Sequence, residues 1–491
     1  MDLIIPTLNY LCSPWPLFLI ALGTLSGILV GAIPGLTGGM LIALSLPLTF
    51  SMQGTDALVL MVSMYVGSIS GGLVTATLLK MPGTPSSIIT TLDGYPMAQA
   101  GKPARALGLG ICASFVGGII SWIFLATLAA PLAAVAHTLG PFDYFSLTLT
   151  ALAIIALVEK SVLTGIASGV LGILASMPGT SPVTGDVRFT FGYSQLDDGF
   201  KLLPTLIGLY ALSEVFILIS KKNATPQATH TGRHGMLMSL RDYKNQAVNL
   251  IRSSVIGTWI GVLPGIGASI GSVTAYTAAK KFSKSPEEFG NGSEDGIVAS
   301  ESANNATVAG ALIPLLSLGI PASVVDAILI GAMIIHGLQP GPLLMNSDPL
   351  AVSSIIGACL VANVFMFVFM LIISPSLTRL ASIPRYLLTS GIMVFCIIGS
   401  YSLANRMFDV FVMLAFGILG LGMRKLGLGL APFVIGFVLG PIAEENLGAG
   451  LMATNGSWAP LITRPVSLVL ILLAISLVVW PSLKKRQPPK L

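Results

Sequence analysis

Hydroxyl and amide side chains gather beside proline and glycine at four places in this 491-residue chain. Thr37 follows Pro34-Gly35. Thr84, Ser86 and Ser87 flank Pro85 in the phrase Lys80-Met-Pro-Gly83-Thr-Pro-Ser-Ser. Ser269 and Ser272 follow Pro264-Gly265. The stretch from Ser300 to Ser323 carries Glu301, Asn304 and Asn305, ends on Gly319-Ile-Pro321-Ala-Ser, and leads to Asp326. Pro34 and Pro264 each remove a backbone donor, and Gly35 and Gly265 admit unusual backbone angles. A helix that starts inside a membrane after such a break points free N–H groups and a positive dipole end at its surroundings. Those groups, with hydroxyls from Thr84, Ser86, Ser87 and Ser323, suit a carboxylate. Unwound carbonyls with Asn304 and Asn305 suit a sodium ion.

Each feature also has a plainer reading. Gly and Pro in membrane helices serve close packing or a tolerated kink. Asn304 and Asn305 can hydrogen-bond between helices. Glu301 is either interfacial and structural or ion-linked, and Asp326 either an intramembrane functional acid or an interfacial one. Lys80 can snorkel or bind an anion. Glu214, Glu444 and His336 read as structural. The cysteines, Cys12, Cys112, Cys359 and Cys396, are scattered and read as buried apolar residues. No Walker loop, HExxH, GxSxG or heptad pattern is present. The histidines, His137, His230, His234 and His336, lack metal spacing, so an enzyme is not expected.

The elements that position these residues follow from composition. The chain is 54% hydrophobic and 9% charged, against roughly 25% charged in soluble proteins. Apolar runs recur at Pro16–Ile33, Ala104–Ala136, Phe145–Val158, Ser161–Ala175, Leu202–Ile219, Leu350–Ser374, Leu387–Ser400, Phe408–Gly422 and Pro465–Trp480. They are continuous and do not alternate, so the chain reads as an all-α polytopic membrane protein of ten to thirteen crossings and not as a β-barrel. The net charge of +5 reflects topology signals at helix ends, not nucleic-acid binding. The first residues lack a basic n-region and a cleavage site, so no signal peptide is expected.

The chain also repeats itself. Gly27–Gly39 matches Gly257-Thr-Trp-Ile-Gly-Val-Leu-Pro-Gly-Ile-Gly-Ala, and Leu78–Ile89 matches Pro314–Val325, with Gly83-Thr-Pro85-Ser laid on Gly319-Ile-Pro321-Ala. Gly169–Gly179 matches Gly417–Gly427, and Pro204–Glu214 matches Pro432–Glu444. Basic segments at Lys221–Arg252, Lys280–Lys284, Arg379–Arg385, Arg424–Lys425 and the tail read as cytoplasmic. Equivalent points then face opposite sides, which predicts two inverted-topology repeats with broken helices or re-entrant hairpins. The expected organisation is a first repeat over 1–220, a cytoplasmic linker over 221–249, a second repeat over 250–446, and a C-terminal helix with a basic tail over 447–491. The N-terminus is expected outside and the C-terminus inside.

Several longer phrases resemble the large membrane subunit of the tripartite tricarboxylate transporters, the TctA family. They are Gly27–Gly39, Met81–Gly108 with its Asp93-Gly-Tyr-Pro, Gly179–Gly192, Gly261–Ser272, Glu301–Pro321 and Leu439–Leu447. The resemblance runs nearly end to end. It implies a permease of the bacterial inner membrane that imports carboxylates such as citrate on a sodium or proton gradient, without ATP or a cofactor. It also implies two partners, a small membrane subunit (TctB-like) and a periplasmic solute-binding protein (TctC-like). The alternative is a stand-alone exchanger or channel. Ala322, where the family pattern has glycine, and Lys80, where it has a neutral residue, depart from the pattern at the proposed site and bear on substrate choice. Asp93 reads as a cap or turn residue as readily as a transport residue.

Overall fold

The structure, a computed structural model, describes residues 4–159, 161–220, 235–377 and 385–483. It is helical throughout, apart from a two-residue antiparallel pairing of Gly179–Thr180 with Val187–Arg188. The helices are α1 (Ile4–Leu11), α2 (Pro14–Gly31), α3 (Gly38–Thr49), α4 (Gly54–Leu79), α5 (Thr90–Gln99), α6 (Pro103–Ala136) and α7 (Pro141–Val158). They continue with α8 (Val162–Ser176), α9 (Leu202–Leu206), α10 (Ser213–Ser220), α11 (Leu240–Val262), α12 (Gly267–Phe282), α13 (Glu294–Leu318) and α14 (Val324–Ile335). The last are α15 (Leu344–Ser347), α16 (Pro349–Ile373), α17 (Arg385–Ser402), α18 (Met407–Lys425), α19 (Leu430–Ala453), α20 (Pro460–Thr463) and α21 (Pro465–Leu483). A 3-10 turn, Pro85–Ile88, precedes α5, and a π-helical segment, Ile207–Leu212, joins α9 to α10.

Seven helical spans among the described residues are long and apolar enough to cross a membrane, and six shorter apolar helices accompany them. The chain is an all-α polytopic membrane protein. Two central helices, α4 and α13, lie outside the apolar runs read from the sequence, because both are interrupted by Gly, Ser and Thr, and α13 by Asn304 and Asn305 as well. A helix surrounded by protein has no need of an apolar exterior. From Asp56 to Leu79 only Ile69 of α4 is not fully buried, and from Gly296 to Ser317 every residue of α13 is buried.

All four expected breaks are present. The backbone leaves helical form between α2 and α3, α4 and α5, α11 and α12, and α13 and α14. Gly35 and Gly265 take positive φ, 95° and 76°, one residue after each break proline. The glycines preceding the breaks serve contact. A Cβ on Gly27 or Gly31 would collide with the backbone of Met64 or Ser68 on α4, and one on Gly257 or Gly261 with Ala303 or Thr307 on α13. The repeated glycine spacing thus seats each broken helix on its own central helix.

Equivalent helices of the two halves run in opposite directions. Tyr65 and Ser70 of α4 meet Ser323 and Asn305 respectively, so α4 and α13 are antiparallel. Phe115 and Trp122 of α6 meet Asn363 and Ile356 of α16, again antiparallel. The halves also exchange contacts reciprocally: α6 packs on α13 and α16 on α4, while α8 packs on α19 and α18 on the π-helical segment. Glu214 and Glu444, the matched acids, each receive an arginine from the other half. Arg424 reaches Glu214 at 2.8 Å, and Arg188 clamps Glu444 through both oxygens. Lys221, Lys222, Arg233 and Arg379 of the expected basic loops lie outside the described residues, as does the tail from 484.

One detail of the repeat is corrected. The sequence match lays Gly83-Thr-Pro85-Ser on Gly319-Ile-Pro321-Ala. In the structure the two left-handed helix ends are Lys80 (φ 55°) and Gly319 (φ 71°), and the next helical turns are capped by Thr84 and Ser323. The equivalence is therefore Lys80-Met-Pro82-Gly-Thr84 with Gly319-Ile-Pro321-Ala-Ser323, three residues away from the sequence register. Capping geometry fixes the register, whereas the sequence match followed a Gly-x-Pro spacing that falls at a different step of each turn.

Candidate functional site

The site is a ring of four chain breaks. Gly83 sits so close to the end of α2 that a Cβ would collide with the Gly31 carbonyl oxygen, which joins the first break to the first tip. The 3-10 turn of that tip packs on α12, the helix after the second break. Gly265 N–H donates to the Ala322 carbonyl at 2.6 Å, joining the second break to the second tip. Gly39, at the start of α3, faces Val324, Val325 and Ile328 of α14, which closes the ring. The sequence-expected residues Pro34, Gly35, Thr37, Gly83, Thr84, Pro85, Ser86, Ser87, Pro264, Gly265, Gly319, Pro321 and Ser323 all belong to this ring.

The first tip is built by its hydroxyls. Thr84 and Ser87 form a capping box, with Thr84 N–H donating to Ser87 Oγ at 3.3 Å, and Thr84 Oγ1 lies 3.0 Å from Ser86 Oγ. All three are buried, whereas Pro85 and Ile88 beside them are exposed. The second tip has no exposed residue from Gly319 to Asp326. Ser323 caps α14 by accepting from Asp326 N–H at 3.3 Å, and its Oγ lies 3.3 Å from the Tyr65 hydroxyl. Thr37 caps α3 by accepting from Met40 N–H.

The polar residues of α13 separate. Asn305 is fully engaged: it accepts from Ser70 at 2.6 Å and donates to Ser114 at 2.7 Å. Glu301 is buried and accepts from Thr90 Oγ1 and, at 3.3 Å, from Ser114 Oγ. Its side chain lies wholly inside the protein. Asn304 is completely buried; neither of its side-chain polar atoms makes a hydrogen bond of good geometry, and its amide interacts with the Glu301 carboxyl group. Ser300, one turn earlier, accepts from Ser272 and meets Thr90; Thr307, one turn later, lies against Gly271. Asn304 between them therefore faces α12 and the first tip. Asp326 is also completely buried; neither of its carboxylate oxygens makes a hydrogen bond of good geometry, and only the Ser323 hydroxyl and the Ser323 and Ala322 N–H groups act on them. Unpaired buried polar atoms in a native fold call for an explanation.

Other residues are accounted for structurally. Lys80 holds its Nζ 5.5 Å from the Tyr95 ring centroid, a cation–π contact. His336 pairs with Thr49. Asp93 gathers three backbone N–H groups, those of Gly290, Gly292 and Ser293, on one oxygen at 2.8–3.0 Å and so ties the first half to the entry of α13. Asp93→Ala is expected to destabilise the protein by about 3 kcal/mol, because several charge-assisted bonds are lost together. Asp93→Asn keeps an acceptor and should cost less than half as much; thermal melts of the purified chain read the difference.

Tyr65, Ser70, Thr90 and Ser114 were missed by sequence reading. A single hydroxyl on a long helix carries no local signal. Only the reciprocal packing of α6 and α13 reveals what it meets. Two cavities lie apart from the ring. One, about 540 Å³, runs along the far half of α14 between Leu202, Gly331, Leu403 and Arg406; the other, about 350 Å³, lies between Glu159, Tyr210 and Arg424.

Comparison with known proteins gives three findings. The model of the family described as "Tripartite tricarboxylate transporter TctA family" matches residues 17–435. An Agrobacterium vitis protein named "Uncharacterized 52.8 kDa protein in TAR-I ttuC' 3'region" is 35% identical over 469 residues, which cover 95% of this chain and 93% of the relative. A second from the same organism, "Uncharacterized protein in TAR-II ttuC' 3'region", is 36% identical over 234 residues, 47% of this chain and 97% of the relative. No solved structure matches.

Proposed function

The chain belongs to the tripartite tricarboxylate transporter TctA family, and on that premise we propose that it is the large permease subunit of a binding-protein-dependent secondary transporter for carboxylates. Its substrate is a tricarboxylate such as citrate or a related organic acid, and a sodium or proton gradient drives uptake. A small membrane subunit and a periplasmic solute-binding protein complete the system, which resides in the bacterial inner membrane with the N-terminus outside and the C-terminus inside. The two repeats, 1–220 and 250–446, flank the binding ring.

The observation that carries this reading is the buried Asn304, which faces the first tip without a well-formed hydrogen bond. Its amide NH2, the Thr84 and Ser86 hydroxyls and the free N–H groups at the start of α12 offer donors that a carboxylate can use, without a full positive charge that would hold it too tightly. The Thr84→Val, Ser86→Ala double variant is expected to lower uptake at least about tenfold, the loss of roughly 1.4 kcal/mol of binding. Labelled citrate entering proteoliposomes that hold the chain and both partners provides the measurement, under imposed sodium or proton gradients. Uptake indifferent to both gradients overturns the coupling. Robust flux without the binding protein favours the stand-alone exchanger instead.

A further inference from the structure

The corrected register pairs Lys80 with Gly319, Thr84 with Ser323 and Ser87 with Asp326. At the first tip the third residue after the cap is Ser87, whose hydroxyl is spent on the capping box. At the second tip the same place holds Asp326, whose backbone N–H donates to the Ser323 cap and whose carboxyl group lies near the Ser323 hydroxyl and the Ser323 and Ala322 N–H groups. The pseudo-two-fold arrangement is thus broken in charge at one position, by a fully buried carboxyl group that has only neutral donors beside it and no well-formed hydrogen bond on either oxygen.

A carboxylate buried inside a membrane protein without a counter-charge costs several kcal/mol unless a cation or a proton neutralises it. Among the described residues no side chain supplies that charge. Tyr65 of α4 is the titratable group on the near side, through Ser323. Helices α3 and α9, which also pack on α14 or lie beside it, carry no titratable residue. Glu301 of α13 is turned to Thr90 and Ser114, Glu444 of α19 is held by Arg188, and Glu445 is exposed. His336, at the far end of α14, pairs with Thr49.

We propose that Asp326 binds the monovalent coupling cation, Na⁺ or H⁺, at the second tip, while the pseudo-equivalent first tip takes the substrate carboxylate. This assignment rests on the carboxylate reading above. For sodium, Asp326, Ser323 Oγ and the Tyr65 hydroxyl supply hard oxygen donors, and one acid matches one positive charge. The two tips are mechanically linked. The first tip interlocks with the end of α2, and the second tip packs on α3, which continues from that same break. Filling the second tip therefore sets the position of the element on which the first tip rests.

The test compares the wild-type chain with Asp326→Asn and Asp326→Glu. The purified chain, without partners or substrate, is melted in sodium chloride and in choline chloride. With sodium as the cation, sodium alone raises the wild-type melting temperature saturably, Asp326→Asn abolishes the rise, and Asp326→Glu shifts half-saturation at least about tenfold. With the proton as the cation, sodium has no effect, and the pH dependence of uptake seen in the wild type flattens in Asp326→Asn. A cooperatively melting Asp326→Asn chain that keeps both the sodium rise and the pH dependence overturns the proposal. If Asp326→Asn does not fold, unchanged sodium half-saturation and pH dependence in Asp326→Glu overturn it equally. The melting arm contains no carboxylate, so it stands even if the substrate belongs to another class.

Discussion

A chain carrying Gly83→Ala is expected to fold and insert, yet to lose between tenfold and a hundredfold of its carboxylate uptake. The single added carbon would run into the Gly31 carbonyl oxygen and stand 2.9 Å from Gly72 Cα. Both neighbours are backbone, which cannot rotate away as a side chain does. Overpacking of this kind costs about 1–3 kcal/mol. The first tip can relieve it only by lifting off the end of α2, which displaces Thr84 and Ser86 from α12. Global stability depends mainly on the long α2–α4 and α6–α13 contacts, so the loss falls on the site more than on the fold. Gly422→Ala, in α18, is the control: nothing lies within 4 Å of its added Cβ, and alanine there favours the helix by about 1 kcal/mol. Equal membrane yields with uptake lost only in Gly83→Ala is the expected result. Full uptake in Gly83→Ala would show that the interlock of tip and break is incidental.

The same glycines explain what was legible in the sequence. Pro34-Gly35 and Pro264-Gly265 announce their breaks because proline and positive-φ glycine act locally, and the structure breaks at both. The apolar runs announce the peripheral helices, since lipid demands apolar side chains of any helix that faces it. The two central helices were harder to read. Their surroundings are protein, so Ser70, Asn304 and Asn305 sit where periodicity gives no warning. Asn305, engaged across helices, and Asn304, which has no such bond, are adjacent in sequence and alike in type; only the facing of α13 toward α4 and α6 on one side and α12 on the other tells them apart. The tip register misled for a related reason. Proline-glycine spacing is visible in a string of letters, whereas the left-handed turn at Lys80 is a tertiary imposition on a residue that seldom adopts it.

Glu301→Ala is expected to be among the most destabilising single changes in the protein, and Glu301→Gln to be mild. Glu301 accepts from Thr90 of α5 and Ser114 of α6, and Ser114 in turn accepts from Asn305, which holds Ser70 of α4. One carboxyl group thereby fastens the helix after the first tip to three neighbours. Alanine leaves two hydroxyls without their acceptor in a dry interior and a cavity where the side chain stood, together about 3–5 kcal/mol. Glutamine keeps an acceptor oxygen for one hydroxyl, and the other can turn to accept from its amide, so the cost falls to about 1 kcal/mol. Melting temperatures of the two variants separate these cases. Uptake measured on the glutamine variant then decides between the two acids of the second half. A fastening residue leaves the cation dependence of transport in place once the fold is intact, whereas Asp326→Asn removes it. A Glu301→Gln chain with unchanged melting and no cation dependence would move the coupling site from the second tip to α13.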